Sequence, residues 1–266
     1  MRKVAALIRA AWLAASSYRL GIVMSVGSLF FTVVPLYFVA GALQPTMASA
    51  IRGEGREYFG FLIVGMMVLT VVTAALFALP NAISSGTSNG TLEALFTTPT
   101  PVPVLLAGIA GYDVLFAVAR AVILLLSAAA LGTHVAWDRL AQASPVLILL
   151  VLAHVPIGLA AGAMILAFRT VGPLPAATLT LSTFLGGTYF PTHVIPGWME
   201  RVSSALPMTY GLRALRAVLL EGRPLSEVTG DVLTLAGFAM VLMIASTLAF
   251  GAALRYAKRA GTLAQY

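Results

Sequence analysis

Six apolar stretches, each near the length a membrane demands, alternate with polar connections along this chain. Crossing the roughly 30 Å hydrocarbon core takes about 20 helical residues. Residues 20–43, 59–83, 104–132, 144–167, 171–190 and 230–254 meet that requirement. Lipid offers no hydrogen-bond partners, so each run is predicted to be an α-helix that satisfies its own backbone. The expectation is an all-α membrane protein whose residues 1–266 form one transmembrane domain of six spans. Only Phe168, Arg169 and Thr170 separate the fourth and fifth runs, which predicts a tight helical hairpin.

Three connections depart from simple loops. Near the N-terminus, Val4, Leu7, Ile8 and Trp12 recur at helical spacing among Arg2, Lys3 and Arg9, the pattern of an amphipathic helix lying in the membrane interface. This segment has no compact apolar core followed by a cleavage site, so it is read as retained. Residues 84–103 are polar and punctuated by glycine and proline, and must lie outside the lipid. Residues 191–222 divide at Pro191, Pro196 and Pro207 into two short helices, about 197–206 and 208–221. One face of the first carries Trp198, Met199, Val202 and Leu206; one face of the second carries Leu212, Leu215 and Leu219. Each is too short to span, which predicts a re-entrant or interfacial helical hairpin.

Composition agrees with this pattern. The 266 residues are 60% hydrophobic and 9% charged, against about 25% charged in soluble domains. A net charge of +7 would suit nucleic acid if it were clustered on one face. Here the basic residues sit at the ends of apolar runs, where anionic headgroups attract them, so no nucleic-acid partner is expected. Basic residues gather at the two termini, which argues for cytoplasmic ends.

Several chemistries are missing. The only lysines, Lys3 and Lys258, stand in no glycine-rich phosphate loop, so this chain holds no conventional ATPase site. There is no HExxH, the histidines are not at metal-ligand spacing, and no serine stands in a GxSxG elbow. Without cysteine, no thiol chemistry is possible. No catalytic residue and no metal ligand is expected.

Three groups of residues remain as candidates. In GTLEALF, Gly90 and Thr91 open a short helix with Glu93 in its first turn, where an acid favours the positive end of the helix dipole. Leu92, Leu95 and Phe96 then form an apolar knob that needs lipid or protein as cover, and Pro99, Pro101 and Pro103 end the helix. The bland reading of Glu93 is a cap; the functional one is a partner-docking element. Inside the membrane, Asp113 and Arg120 lie seven residues apart, on one face and about 10 Å apart along the axis. They either contact substrate or ion, or serve structure, and His154 is either a proton relay or a satisfied core group. Finally, Thr178, Ser182 and Thr183 belong to a hydroxyl-rich fifth run, where such residues allow close helix packing or line a pathway.

Two segments resemble the signatures of the type-2 ABC transporter permease family. One is GTLEALFTTPTPVPVLLAG at 90–108; the other is GGTYFPTHVIPGWMERVSSALPMTYGLRALRAVLLEG at 186–222. The resemblance implies the membrane subunit of a bacterial exporter, working in the cell membrane as a homomeric or heteromeric dimer of permeases. It implies two cytosolic ATPase subunits that carry ATP and magnesium, while this chain binds no cofactor. Gly90, Thr91, Leu92, Glu93, Leu95 and Phe96 would then form the coupling helix. The hairpin would face outside, and the pathway would follow the dimer axis. Cargo would be amphipathic or hydrophobic: a drug, lipid or glycolipid. Asp113 and Arg120 are not part of the family's pattern. The rival expectations are a transporter or channel driven by an ion gradient through Asp113, Arg120 and His154, and an intramembrane enzyme acting on lipids.

Overall fold

A computed structural model describes residues 9, 12, 13, 19–88, 102–168, 170 and 172–259. Their regular elements are helices: α1 (Arg19–Met47), α2 (Tyr58–Ser88), α3 (Val102–Ala130), α4 (Leu140–Phe168), α5 (Leu174–Leu185), α6 (Gly197–Ser203), α7 (Pro207–Leu219) and α8 (Thr229–Arg259). Short 3-10 turns at Trp137–Arg139, Thr192–Val194 and Leu225–Val228 join some of them. Five helices, α1, α2, α3, α4 and α8, are long and apolar enough to cross a membrane. They coincide with the predicted first, second, third, fourth and sixth runs.

The predicted fifth span is shorter than its apolar run. α5 has 12 residues, about 18 Å of helix against the roughly 30 Å of hydrocarbon. Both ends have a local cause. Pro173 and Pro175 start the helix, where a missing N–H costs nothing. At the other end Gly186 donates to the Ser182 carbonyl at 2.9 Å. Gly187 then turns the chain with φ +91°, a conformation that favours glycine.

α2 is the axis of the bundle, packed against α3, α4, α1 and α7. Val64, Val68, Val71, Val72 and Leu76 of α2 form one core with Ala121 and Leu125 of α3 and with Val146, Leu150 and Ala153 of α4. Where α4 crosses α2 the backbones nearly touch. A Cβ on Gly158 would lie 2.8 Å from the Leu76 carbonyl oxygen, so only glycine permits this approach. By contrast, α1 exposes Phe30, Phe31, Phe38 and Val39 along its outer side.

The two hairpin helices differ in kind. α6 leaves Trp198 exposed. Eleven of the thirteen residues of α7 are buried, so this helix is inserted into the core and does not merely cover it. Met208, Leu212, Leu215, Val218 and Leu219 join the same core cluster as α2 and α4.

Candidate functional site at the helical hairpin

Arg216 is the largest fully buried side chain in the described structure, and it organises the hairpin end of the bundle. It lies on α7 one turn after Leu212 and three residues before Leu219, hence within the apolar face. Its Nη1 donates to Glu54 Oε2 at 2.9 Å, and its Nη2 donates to the carbonyls of Phe61 and Thr188, each at 3.1 Å. The guanidinium carbon sits 3.3 Å from the centroid of the Phe61 ring. One side chain therefore joins α7, the α1–α2 linker, the start of α2 and the segment after α5.

The surrounding residues make room for this arrangement. Gly65 faces Thr188 so closely that a Cβ there would lie 2.5 Å from the Thr188 carbonyl and 3.3 Å from Arg216 Nη2. Tyr58 stacks on Phe61 with centroids 5.9 Å apart, and its hydroxyl donates to the Tyr189 carbonyl at 2.8 Å. Burial pulls the Arg216 guanidinium down to about 10, opposed by the nearby Glu54 carboxylate. It therefore remains a cation at neutral pH. A buried charge costs several kcal/mol unless paired and hydrogen-bonded; here the carboxylate and two carbonyls compensate the terminal nitrogens, while Nε is buried without a partner.

Shorter links hold the hairpin itself. Thr209 Oγ1 donates to the Ser203 carbonyl at 2.8 Å, which leaves the Ser203 hydroxyl to donate to Thr209 Oγ1 at 3.1 Å. The Tyr210 hydroxyl donates to the Ser204 carbonyl at 2.8 Å. Arg213 pairs with Asp231 of α8 at 2.8 Å and lies 5.0 Å from the Tyr210 ring centroid. The Pro-Met-Thr-Tyr sequence and its two following arginines are thus the mechanical joints between α6, α7, α8 and α2.

The residues singled out from sequence fare differently. Gly90, Thr91, Leu92, Glu93, Leu95 and Phe96 lie outside the described residues, between the end of α2 at Ser88 and the start of α3 at Val102. Asp113 is exposed on α3, while Arg120 is half-buried with its Nε unpartnered. No ion pair joins them, and no hydrogen bond links either to His154. His154 is fully buried. Its Nδ1 donates to the Leu150 carbonyl at 2.8 Å, a bond that requires the proton on Nδ1, and Nε2 has no partner. No direct contact therefore connects the three groups.

On α5, Thr178 is partly buried, and Thr183 Oγ1 donates to the Leu179 carbonyl at 2.7 Å. Ser182 is fully buried with an unpartnered hydroxyl. Its burial comes from the packing of α5 against α2 and α4. The three side chains are not gathered around one described cavity.

Sequence reasoning missed Arg216 and Glu54 as a pair. A cation inside the Leu212–Leu219 apolar face was the available signal for Arg216. Nothing local pointed to Glu54, which lies 162 residues away.

The model of the ABC-2 type transporter family matches residues 2–220. The chain belongs to that family. The match takes in the polar segment between α2 and α3 and the whole of α7, and ends one residue after α7. Nodulation protein J of Rhizobium meliloti (strain 1021) is 26% identical over 214 residues, covering 80% of this chain and 81% of that protein. The inner membrane transport permease YadH of Escherichia coli (strain K12) is 25% identical over 166 residues, covering 61% of this chain and 63% of the relative. As an ABC-2 permease the chain is the multi-pass membrane subunit of an ABC transporter, associated with an ABC ATPase subunit that hydrolyses ATP.

Proposed function

We propose that this chain is the permease of an ATP-driven exporter that moves an amphipathic or hydrophobic cargo outward: a drug, lipid or glycolipid. The observation that carries this reading is the family match running unbroken through the polar segment after α2 and the buried hairpin of α6 and α7. Two ATPase subunits, which hold ATP and magnesium, would dock on Gly90–Phe96. Leu92, Leu95 and Phe96 would enter the ATPase surface, and Glu93 would set the helix that presents them. A second permease, identical or homologous, would complete the membrane unit, with α1 as one contributor through its exposed apolar face.

In this reading both termini are cytoplasmic, α5 with its flanking residues is the fifth of six membrane segments, and α6–α7 form an external re-entrant hairpin. Trp12 meets Tyr112 of α3 edge-on with ring centroids 6.5 Å apart, a contact that suits the inner membrane boundary. Closure of the ATPase pair pushes on the coupling segment and rocks the bundle between inward-open and outward-open states. Thr178, Ser182 and Thr183 would border the pathway. Because Arg216 ties the hairpin to the start of α2 and the linker, the outer end would move as one body with α2.

The test is purification of the chain from its native membrane in mild detergent, with identification of what co-elutes. A P-loop ATPase in equal amount, lost when Leu95 and Phe96 are replaced by alanine, is the expected result. Recovery of a folded chain alone, moving solute into liposomes without ATP, would overturn the proposal.

A further inference from the structure

Two adjoining cavities open at the end of the bundle that carries the α1–α2 linker. The larger, about 570 Å³, lies between the end of α1, the start of α2 and the turn after α3, with Tyr37, Phe38 and Phe59 on its walls. The smaller, about 150 Å³, is lined by Arg56, Glu57, Gly60, Thr133, His134 and Leu220. Glu57 and Thr133 belong to both. The pair therefore forms one groove, apolar and aromatic at one end and charged at the other. The groove lies where three apolar helices end, which is the depth at which lipid headgroups lie.

The charged end brings charges of both signs to one small cavity without pairing them to each other. Arg56 and Glu57 are adjacent and exposed, line the same small cavity, and form no ion pair with each other or with His134. Nearby, Arg216 pairs with Glu54, Arg213 with Asp231, and Arg223 with Glu221, so none of these is free to neutralise Arg56 or Glu57. Thr133 is buried between the cavities with its hydroxyl unpartnered. The wall is held rigid, because Gln44 accepts from the Tyr58 N–H at 2.6 Å and donates to the Arg56 carbonyl at 3.3 Å. Tyr37 also packs edge-on against Phe59, with centroids 5.2 Å apart.

We propose that this groove binds a zwitterionic phospholipid whose ammonium group pairs with Glu57 and whose phosphate pairs with Arg56 and His134. An acyl chain lies against Tyr37, Phe38 and Phe59. An anionic phospholipid satisfies Arg56 but leaves Glu57 facing its phosphate. A neutral glycolipid offers hydroxyls to Glu57 but leaves the cation unmatched. Only a head with both signs answers both free charges. The site stands independently of the direction of transport and of the cargo.

Native mass spectrometry of the full chain tests this, with phosphatidylethanolamine, phosphatidylglycerol or a glucosyl diacylglycerol supplied in equal amounts. Phosphatidylethanolamine is expected to stay bound in preference to the other two. Glu57→Gln should lower its retention about fivefold, the worth of one screened ion pair, while phosphatidylglycerol is held as well or better. Arg56→Gln should weaken retention of both phospholipids. Neither side chain forms an ion pair within the protein, so both variants should stay folded, with only the small loss expected when Glu57→Gln removes an acid from the start of α2. Equal retention of all three lipids, a preference for the glycolipid, or unchanged retention in both variants would overturn the proposal.

Discussion

Arg216 of α7 and Glu54 of the α1–α2 linker meet at 2.9 Å, with the guanidinium side chain 1% and the carboxylate 12% exposed. The pair closes the longest sequence separation of any side-chain bond in the site, and it compensates the one cation that α7 carries into the core. Removing one partner of such a pair leaves a buried charge without compensation, which typically costs about 3–5 kcal/mol. Arg216→Met and Glu54→Gln should each lower the unfolding temperature of the detergent-solubilised chain strongly. The double variant should be less damaged than the two losses added together. Additive losses in a thermal-unfolding cycle would show that the two residues act separately.

Gly65 makes a second prediction. Its missing side chain admits the Thr188 carbonyl, so Gly65→Ala must displace backbone as well as Arg216. Overpacking of this kind costs about 1–3 kcal/mol. Gly237, in the middle of α8 with nothing near its absent Cβ, is the matched control. There alanine should be neutral or stabilise by up to about 1 kcal/mol. Equal unfolding temperatures for the two variants would refute the close approach at Gly65.

Coupling is tested at Glu93. In the proposed coupling helix, reversal of charge in Glu93→Arg would oppose the helix dipole and alter the docking knob. The variant should insert normally and keep its ATPase partner's basal turnover, yet lose stimulation of that turnover by transport. A variant that transports at the wild-type rate would remove Glu93 from the coupling mechanism.

His154 gives the discriminating test between an ATP-driven permease and an ion-driven one. Its imidazole bonds within its own helix and touches no other candidate charge. His154→Leu should therefore preserve ATP-driven transport, with a change in stability below about 1.5 kcal/mol because volume is nearly conserved. Loss of transport in a variant that folds normally and still binds its ATPase would restore a proton-relay role.

The helices themselves are legible in the amino-acid sequence. The runs at 59–83, 144–167 and 230–254 became α2, α4 and α8 with modest extensions, because apolar length and the need to satisfy the backbone in lipid are local properties. The two hairpin helices were legible as well, from the prolines that open them. α5 was overestimated, since the apolar run continues past Gly186 whereas the helix cannot continue through the Gly187 turn.

What the amino-acid order determined alone was therefore helix content, the approximate ends of the spans, the absence of a phosphate-binding loop and the two family-like motifs. Each of these depends on residues within about one helix length of each other. Tertiary structure decided which apolar face is buried, that Arg216 finds Glu54, and that Asp113, Arg120 and His154 do not meet. Those outcomes depend on pairings across the bundle, and a separation of 162 residues leaves no periodicity in the chain from which to read them. A cation in an apolar helical face announces that it needs a partner; only packing chooses which one.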